Sequence, residues 1–237
     1  MPLAKVYAII PAAGTGSRMG SKIKKQYLQL QGLPVLAHTI NIFEKCPFVD
    51  GIVVVVGKED VSWCRQEIIE KYSFQKVLSV VPGGDCRQHS VYNGLVSLPA
   101  GEDDVVMVHD GARPLVTADI LADALSAVRK NDAVAAAVPV KDTIKLADAE
   151  QKVIDTPPRE KLWAVQTPQV FKYRLLMKAY RHAADNDFAG TDDASLVEKL
   201  GHAVHLVSGS YENIKITTRD DMLLAELILK RRGCACE

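Results

Sequence analysis

VYAIIPAAGTGSRMGSKIKK, residues 6–25, is the stretch that decides the fold. Its first part, residues 6–10, is a short apolar run ended by Pro11, which is typical of a strand buried on both faces of a parallel sheet. Gly14, Gly16 and Gly20 follow, and a strand that ends in such a turn directs consecutive backbone N–H groups at one point. We therefore expect a cradle for a phosphate group. Four cations lie beside it: Arg18, Lys22, Lys24 and Lys25.

Two familiar glycine motifs do not fit this turn. Gly20 stands one residue late for the dinucleotide-binding fingerprint, and no acidic residue follows about twenty residues later at a strand end. A Walker A loop requires Gly-Lys followed by Ser or Thr, whereas Gly57-Lys58 is followed by Glu59. The alternative to a phosphate cradle is a tight surface turn with solvated lysines.

The composition is that of an ordinary globular protein. Apolar residues make up 48% of the 237 residues, and 29 cations balance 29 anions. This neutrality argues against a nucleic-acid or anionic-membrane surface, which would need a basic excess. Because no segment has eighteen uninterrupted apolar residues, we expect no membrane span and a cytoplasmic protein. Five cysteines without a CxxC pair indicate neither a disulfide framework nor a zinc site.

Strand and helix patterns alternate along most of the chain. This alternation predicts βαβ units, hence an α/β fold with a Rossmann-like, mainly parallel sheet flanked by helices. The helical patterns include one over residues 59–72 and one that Thr117 can cap. The predicted strands are 6–10, 51–56, 77–81, 105–108, 133–138, 204–207 and 214–216.

The alternation breaks at Val140. Residues 141–161 are polar, with a few apolar residues on either side of a turn at 147–151, which predicts a β-hairpin that projects from the sheet. Such a hairpin cannot bury itself, so we expect residues 139–161 to form an arm that packs against a partner subunit. A solvated hairpin is the alternative.

Two helix starts are predicted in the last fifth of the chain. Thr191 is expected to cap a short helix whose first turn holds Asp192 and Asp193, which favours a structural role for these two acids. Thr218 and Asp221 have the spacing of a capping box for the final helix.

Four loops are expected to meet at one edge of the sheet. Ligands of open parallel sheets bind outside the carboxyl ends of the strands, where the strand order reverses. The loops at 11–25, 82–90 and 109–114 and the segment around Lys215 can share that edge, and their mixture of amides, cations and acids suits a nucleoside triphosphate. No nucleophile motif is present, so direct in-line transfer between two substrates is the expected chemistry.

Seven motifs in order resemble the 2-C-methyl-D-erythritol 4-phosphate cytidylyltransferase family. The resemblance covers essentially the whole chain, and it implies a single nucleotidyltransferase domain over 1–237. It also implies that the methylerythritol phosphate oxygen attacks the α-phosphorus of CTP, releasing pyrophosphate in the non-mevalonate isoprenoid pathway. The motifs are PAAGTGSRMG with KQYL (11–28), GGDCRQHSV (83–91), HDGARP (109–114), VKDTIK (140–145), WAVQTPQVF (163–171), TDDAS (191–195) and NIKIT (213–217).

The resemblance also implies roles for individual residues. Arg18 and Lys25 would stabilise the transition state, Lys215 would lie near the α-phosphate, and Mg²⁺ would be bound mainly through the CTP phosphates. The family is a homodimer whose arms clasp each other, so arm residues could serve the neighbour's site. The nucleotide-binding residues implied are Ala13, Gly14, Gly16, Gly84, Asp85, Ser90 and Asp110, and those implied for the acceptor are Arg113, Thr143, Arg159, Thr167, Thr191 and Lys215, with Arg159 also among the catalytic residues.

One position departs from the family pattern. Proline often precedes the lysine of K-Q-Y, and this chain has Lys24 there. Three other functions stay open at this point: a ribitol 5-phosphate cytidylyltransferase with similar chemistry, a nucleotide-binding regulatory module without turnover, and a dinucleotide-dependent oxidoreductase.

Overall fold

The computed structural model describes residues 4–14 and 24–234. Part of the glycine-rich turn, including Gly16, Arg18 and Lys22, therefore lies outside the described residues. The strands are β1 (Val6–Pro11), β2 (Gln29–Leu30), β3 (Leu33–Pro34), β4 (Gly51–Val56), β5 (Val77–Pro82), β6 (Val105–Val108), β7 (Ala133–Pro139), β8 (Leu146–Ala147), β9 (Val153–Asp155), β10 (Trp163–Lys172) and β11 (His205–Ser208).

Helices connect many of these strands. The α-helices are α1 (Val35–Lys45), α2 (Val61–Cys64), α3 (Arg87–Val96), α4 (Ala118–Asn131), α5 (Tyr173–Asp185), α6 (Asp193–Lys199) and α7 (Arg219–Cys234). The helix predicted over 59–72 is present as a 3₁₀ turn (Lys58–Asp60), α2 and a π-helical segment (Arg65–Glu70). Further 3₁₀ turns occupy Lys25–Tyr27 and Arg159–Lys161.

A seven-stranded sheet in the order β11-β7-β10-β6-β1-β4-β5 forms the centre of the molecule. β1 pairs in parallel with both β4 and β6, so the strand order reverses at β1. β10 is antiparallel to its two neighbours, β6 and β7, and β11 is parallel to β7. The predicted α/β class with a mainly parallel sheet flanked by helices is confirmed.

Alternate side chains of β1 supply the two hydrophobic layers. Ala8 and Ile10 pack on the face covered by α1, α2 and α4, whereas Tyr7 and Ile9 pack on the face covered by α3, α5 and α6. All four side chains are buried. This burial on both faces explains why the strand appears in the sequence as a continuous apolar run rather than an alternating one.

The hairpin predicted over residues 141–161 is present and exposed. β8 pairs with β9 in antiparallel fashion, and every residue of both strands is exposed. Its apolar side chains are exposed as well, with Ile154 at 65% and Val153 at 52%. The hairpin is thus confirmed, and its contact with a partner subunit remains a prediction.

Two local predictions are wrong, and one is confirmed. Asp192, not Thr191, caps α6, because its carboxylate accepts from the Ser195 N–H (2.9 Å) and completes a capping box. Residues 214–216 form no strand; Ile216 donates a single backbone hydrogen bond to the Ala112 carbonyl (2.8 Å). The capping box of Thr218 and Asp221 is present. No helix among residues 4–14 and 24–234 is long and apolar enough to cross a membrane.

Candidate active site

A cavity of about 420 Å³ lies at the carboxyl end of β1, where the strand order reverses. The loops that follow β1, β5 and β6 and the segment at Lys215 all contribute to it, as expected from the sequence. Its lining consists of Pro11, Ala12, Ala13, Gly14, Lys25, Gln26, Gly84, Asp85, Cys86, Arg87, Ser90, Asp110, Ala112 and Lys215.

Gln26 fixes the start of the glycine-rich turn. Its buried side-chain amide donates to the carbonyl oxygens of Ala12 (2.7 Å) and Gly14 (3.2 Å). These two hydrogen bonds tie Gln26 to the described start of the turn, residues 12–14. Gln26 was not among the predicted site residues, although it lies in the K-Q-Y-L motif next to Lys25.

The loop after β5 closes against the loop after β1. A Cβ atom at Gly83 would lie 2.5 Å from the Cβ of Ala13, so only glycine allows this approach. The buried Ser90 hydroxyl accepts from the Gly84 N–H (3.1 Å) and donates to the Cys86 carbonyl (2.9 Å). Ser90 therefore shapes the turn that presents the exposed Asp85 at the cavity mouth.

Asp110 is the electrostatic centre of the site. The residue is 7% exposed, and its carboxylate lies 2.9 Å from Lys215 Nζ, 3.4 Å from Arg113 Nε and 3.5 Å from Arg87 Nε. Burial opposes ionisation of this carboxyl group, but the charges of Lys215, Arg87 and Arg113 outweigh burial and lower its pKa. Asp110 thus remains an anion that holds three cations near the cavity.

Arg87 joins two carboxylates, and the sequence interpretation missed it. Besides its contact with Asp110, it donates to Asp193 (2.7 Å), which is fully buried and also accepts from the Tyr180 hydroxyl. The structural role expected for Asp193 is therefore a concrete one, since its charge fixes Arg87 at the cavity wall. The signal available in the sequence was an arginine two residues after the Gly-Gly-Asp turn, together with the acidic pair Asp192-Asp193 elsewhere in the chain.

Behind Asp110, a buried hydrogen-bond chain fixes the 109–113 loop. The His109 Nε2–H donates to the Arg113 carbonyl (3.1 Å), so Nδ1 accepts from the Thr167 hydroxyl (3.1 Å), and that hydroxyl accepts from the Asp110 N–H (3.1 Å). Burial lowers the pKa of His109 to about 4, and the ring is neutral at neutral pH. The one hydrogen of the Thr167 hydroxyl is committed to His109.

The structure brings together most of the predicted nucleotide-binding residues but few of those predicted for the acceptor. Arg113 contacts Asp110 from outside the cavity lining and donates to the Asn213 carbonyl (2.7 Å). Thr143 and Thr191 are exposed elsewhere, and Arg159 donates to the Lys141 carbonyl at the base of the hairpin (2.8 Å). Gly16 and Arg18 lie outside the described residues. Those that line the cavity are Ala13, Gly14, Lys25, Gly84, Asp85, Ser90, Asp110 and Lys215.

The cavity offers a metal ion few protein ligands. Within the described part of the chain, no group of three or more His, Cys, Asp or Glu side chains could hold one. The lining carboxylates are Asp85 and Asp110. Asp110 Oδ1 lies 3.5 Å from Arg87 Nε, which is a longer contact than the 2.9 Å between Oδ2 and Lys215 Nζ. Mg²⁺ commonly binds one or two carboxylates and takes its other ligands from phosphates and water. The residues present therefore fit an ion that arrives on a phosphate ligand.

Comparison with known proteins agrees with this geometry. The family model for 2-C-methyl-D-erythritol 4-phosphate cytidylyltransferase matches residues 6–231. The protein of that name from Desulforamulus reducens is 54% identical over 235 residues, which cover 99% of this chain and 100% of the relative. The one from Geobacter metallireducens is 50% identical over 229 residues, covering 96% and 98%.

Solved structures show the same likeness. The crystal structure of 4-diphosphocytidyl-2C-methyl-D-erythritol synthase from Anaerococcus prevotii has a TM-score of 0.84 at 34% identity, covering 96% of this chain and 99% of that chain. The Francisella tularensis 2-C-methyl-D-erythritol 4-phosphate cytidylyltransferase has a TM-score of 0.80 at 34% identity, covering 94% and 99%. Since both the family model and these relatives span nearly the whole chain, it belongs to the 2-C-methyl-D-erythritol 4-phosphate cytidylyltransferase family and is a cytidylyltransferase.

Proposed function

We propose that this chain transfers CMP from CTP to 2-C-methyl-D-erythritol 4-phosphate. A phosphate oxygen of the acceptor attacks the α-phosphorus of CTP in line, and the bond from that phosphorus to the bridging oxygen of the β-phosphate breaks. The products are 4-diphosphocytidyl-2-C-methyl-D-erythritol and pyrophosphate. No general base is required, because the attacking phosphate oxygen is already an anion. A reaction that draws on the CTP pool is expected in the cytoplasm.

The cavity at the strand-order reversal is the observation that carries this proposal. Its lining combines small residues with three cations, Lys25, Arg87 and Lys215, and two carboxylates, Asp85 and Asp110. In-line transfer of this kind depends on positioning the reactants and stabilising charge, so a cavity of fixed cations matches its needs. Asp110 keeps Lys215 in place at the point where the α-phosphate would lie.

The proposed nucleotide roles are those that the family resemblance implies for these residues. Lys25, with Arg18, would neutralise the charge that builds on the phosphates during transfer, and Lys215 would act at the α-phosphate. Ala13, Gly84, Asp85 and Ser90 would face the cytosine. Asp110 would lie near the ribose and would be the buried carboxylate available to an Mg²⁺ ion bound mainly through the CTP phosphates. When bound, that ion would supply further positive charge to the leaving pyrophosphate.

The acceptor site is proposed to be completed by a second subunit. Arg159 and Thr143 lie on the exposed arm, while the cavity of the same chain is lined by other residues. A homodimer in which the 139–161 arms clasp each other would bury the exposed Ile154 and Val153 and bring these two polar residues to the neighbouring cavity. The domain organisation proposed is thus one nucleotidyltransferase domain over 1–237 with a dimerisation arm.

Pyrophosphate release tests the reaction. CTP and Mg²⁺ are incubated with methylerythritol 4-phosphate or with ribitol 5-phosphate, using Lys25→Ala as a matched low-activity control. Release with the first acceptor alone is expected, and the names of the family and of its relatives support this acceptor. Release with ribitol 5-phosphate alone would overturn the acceptor, and no release with either would overturn the reaction.

Subunit mixing tests the shared site. Lys25→Ala and Arg159→Ala chains are refolded together and assayed at low acceptor concentration. If Arg159 acts across the dimer, random pairing restores about a quarter of the wild-type activity, because half the dimers are mixed and each has one intact site. If both residues act within one chain, mixing restores nothing.

The molar mass in solution tests whether the arm holds the dimer together. Ile154→Lys should convert the dimer to a monomer in light scattering, because a charge would be buried in the contact. Leu227→Lys on α7, where the leucine is 64% exposed, is the matched control and should stay dimeric.

A further inference from the structure

Lys24, immediately before Lys25, is held by two carboxylates on a neighbouring segment. Its Nζ lies 2.7 Å from Asp60 Oδ2 and also contacts Glu59. The Tyr27 hydroxyl donates to the same Asp60 oxygen (3.2 Å). Both ends of the short turn Lys25–Tyr27 are therefore anchored to one carboxylate.

The backbone of this turn shows what the anchors control. Lys24 has φ −60° and ψ 138°, and its carbonyl accepts from the Tyr27 N–H (2.9 Å). The turn places Lys25 and Gln26 in the cavity lining. A change in the Lys24 backbone would therefore move Lys25 relative to the cavity.

The anchoring segment is built for this contact. A Cβ atom at Gly57 would lie 2.8 Å from Glu59 Oε1 and 3.1 Å from Asp60 Oδ2, so glycine leaves room for both carboxylates. Trp63, on α2 just after Asp60, has its ring 4.5 Å from the Tyr27 ring between centroids. The turn thus rests on an aromatic contact as well as on the ionic one.

The charge of Lys24 is used in this contact. Burial opposes protonation, but the hydrogen bonds and charges of Asp60 and Glu59 outweigh it and raise the Lys24 pKa. Two carboxylates neutralise this ammonium group, which assigns it to the support of the turn. Lys25, in the cavity lining, is the neighbouring lysine placed to meet phosphate.

We propose that Lys24, Asp60 and Tyr27 are positioning residues that hold Lys25 at the nucleotide cavity. They act through Lys25 and touch no substrate. The inference rests on the proposed cytidylyl transfer, since it assigns a supporting role within that same site.

Steady-state kinetics of three Lys24 variants test the proposal. Lys24→Met should lower kcat about tenfold and leave the acceptor KM unchanged, because a displaced cation weakens transition-state stabilisation. Lys24→Arg keeps the charge, and Lys24→Pro fixes φ near the observed −60°, so both should retain most of kcat. Asp60→Asn should resemble Lys24→Met, and the double variant should be no worse than either. Lys71→Met, which removes a surface ion pair with Glu67, is the matched control and should be unchanged.

Wild-type kcat in Lys24→Met or in Asp60→Asn would overturn the proposal. Equal loss in Lys24→Pro and Lys24→Met would also overturn it, because the charge and not the backbone position would then matter.

Fluorescence separates this inference from the reaction itself. Trp63 and Trp163 are the two tryptophans of the chain, so Trp163→Phe leaves Trp63 as the reporter of the Tyr27 contact. In that background Lys24→Met should increase acrylamide quenching of Trp63, and Lys24→Pro should not. Failure of the wild-type chain to release pyrophosphate would refute the reaction only. Unchanged quenching in Lys24→Met would refute the anchoring even in an active enzyme.

Discussion

Acidification should destabilise the fold through His109. The ring is fully buried, its Nε2–H donates to the Arg113 carbonyl and its Nδ1 accepts from Thr167. Burial lowers its pKa from 6.5 to about 4. In the unfolded chain the ring takes up a proton as the pH falls below 6.5, whereas in the folded chain it stays neutral until about pH 4. The unfolded state therefore binds more protons in this window, and stability falls as the pH falls.

The size of the effect follows from the difference between the two pKa values. Each unit corresponds to about 1.4 kcal/mol, so the full depression from 6.5 to about 4 is worth about 3 kcal/mol. About 2 kcal/mol of this should be lost between pH 7 and pH 5. The lowered pKa of Asp110 acts in a separate window, because an ordinary aspartate with a pKa of 3.8 is still ionised at pH 5.

Urea unfolding at pH 7, 6 and 5 measures this loss. The wild type should lose about 2 kcal/mol more than His109→Gln over this range, because the variant lacks the titrating ring. His202→Gln, at an exposed position, should follow the wild type. Should His109→Gln fail to fold, ¹⁵N NMR of the wild-type imidazole gives the answer directly, since the ring should be neutral at pH 5. Parallel stability curves for wild type and His109→Gln, or a ring that titrates near pH 6.5, would refute the reasoning.

Three further perturbations have distinct expected outcomes. Lys25→Ala should lower turnover by about 10²-fold or more, because the cation acts on transition-state charge. Its urea midpoint should stay near that of the wild type. Unchanged initial rates would refute the catalytic role of Lys25. Arg159→Ala should raise the apparent KM for the acceptor and leave CTP affinity by calorimetry unchanged, and a defect confined to CTP would contradict its role. Asp193→Asn should cost about 2–4 kcal/mol of unfolding free energy, because it leaves Arg87 without its fully buried partner. Asp119→Asn, at an exposed helix position, should change stability by less than about 0.5 kcal/mol, and an equal effect of the two changes would contradict the buried pair.

The strands buried on both faces could be predicted from the sequence, because their continuous apolar runs reflect burial directly. Segments whose structure depends on a contact with one distant residue could not be predicted from the sequence. Residues 214–216 have the composition of a strand, but only Ile216 finds a backbone partner, at Ala112. Thr191 and Asp192 are both good capping residues, and local composition does not decide between them. The contact of Asp192 with Gln169 (2.7 Å), on β10, contributes to the choice.

The candidate site shows the same division. The phosphate loop and the loops at 82–90 and 109–114 were predicted to meet because strand topology alone brings carboxyl ends to one edge. Arg87 was missed because its importance comes from Asp193, which is more than one hundred residues away. Thr167 was predicted to bind the acceptor, and its hydroxyl hydrogen is engaged with His109. The family resemblance implied its role, but the contacts of a hydroxyl are known only from the folded chain.

The place of β10 in the sheet has a consequence for synthesis of the protein. β10 lies between β6 and β7, although it follows both in the chain. A nascent chain that has been made only as far as the hairpin therefore holds β6, an apolar strand, as an unpaired edge. Such an edge can recruit other strands, so slow translation or truncation before residue 172 should favour aggregation. Because β10 is synthesised after β6 and β7, the middle of the sheet is completed late. The need for chaperones should be greatest just before β10 emerges from the ribosome.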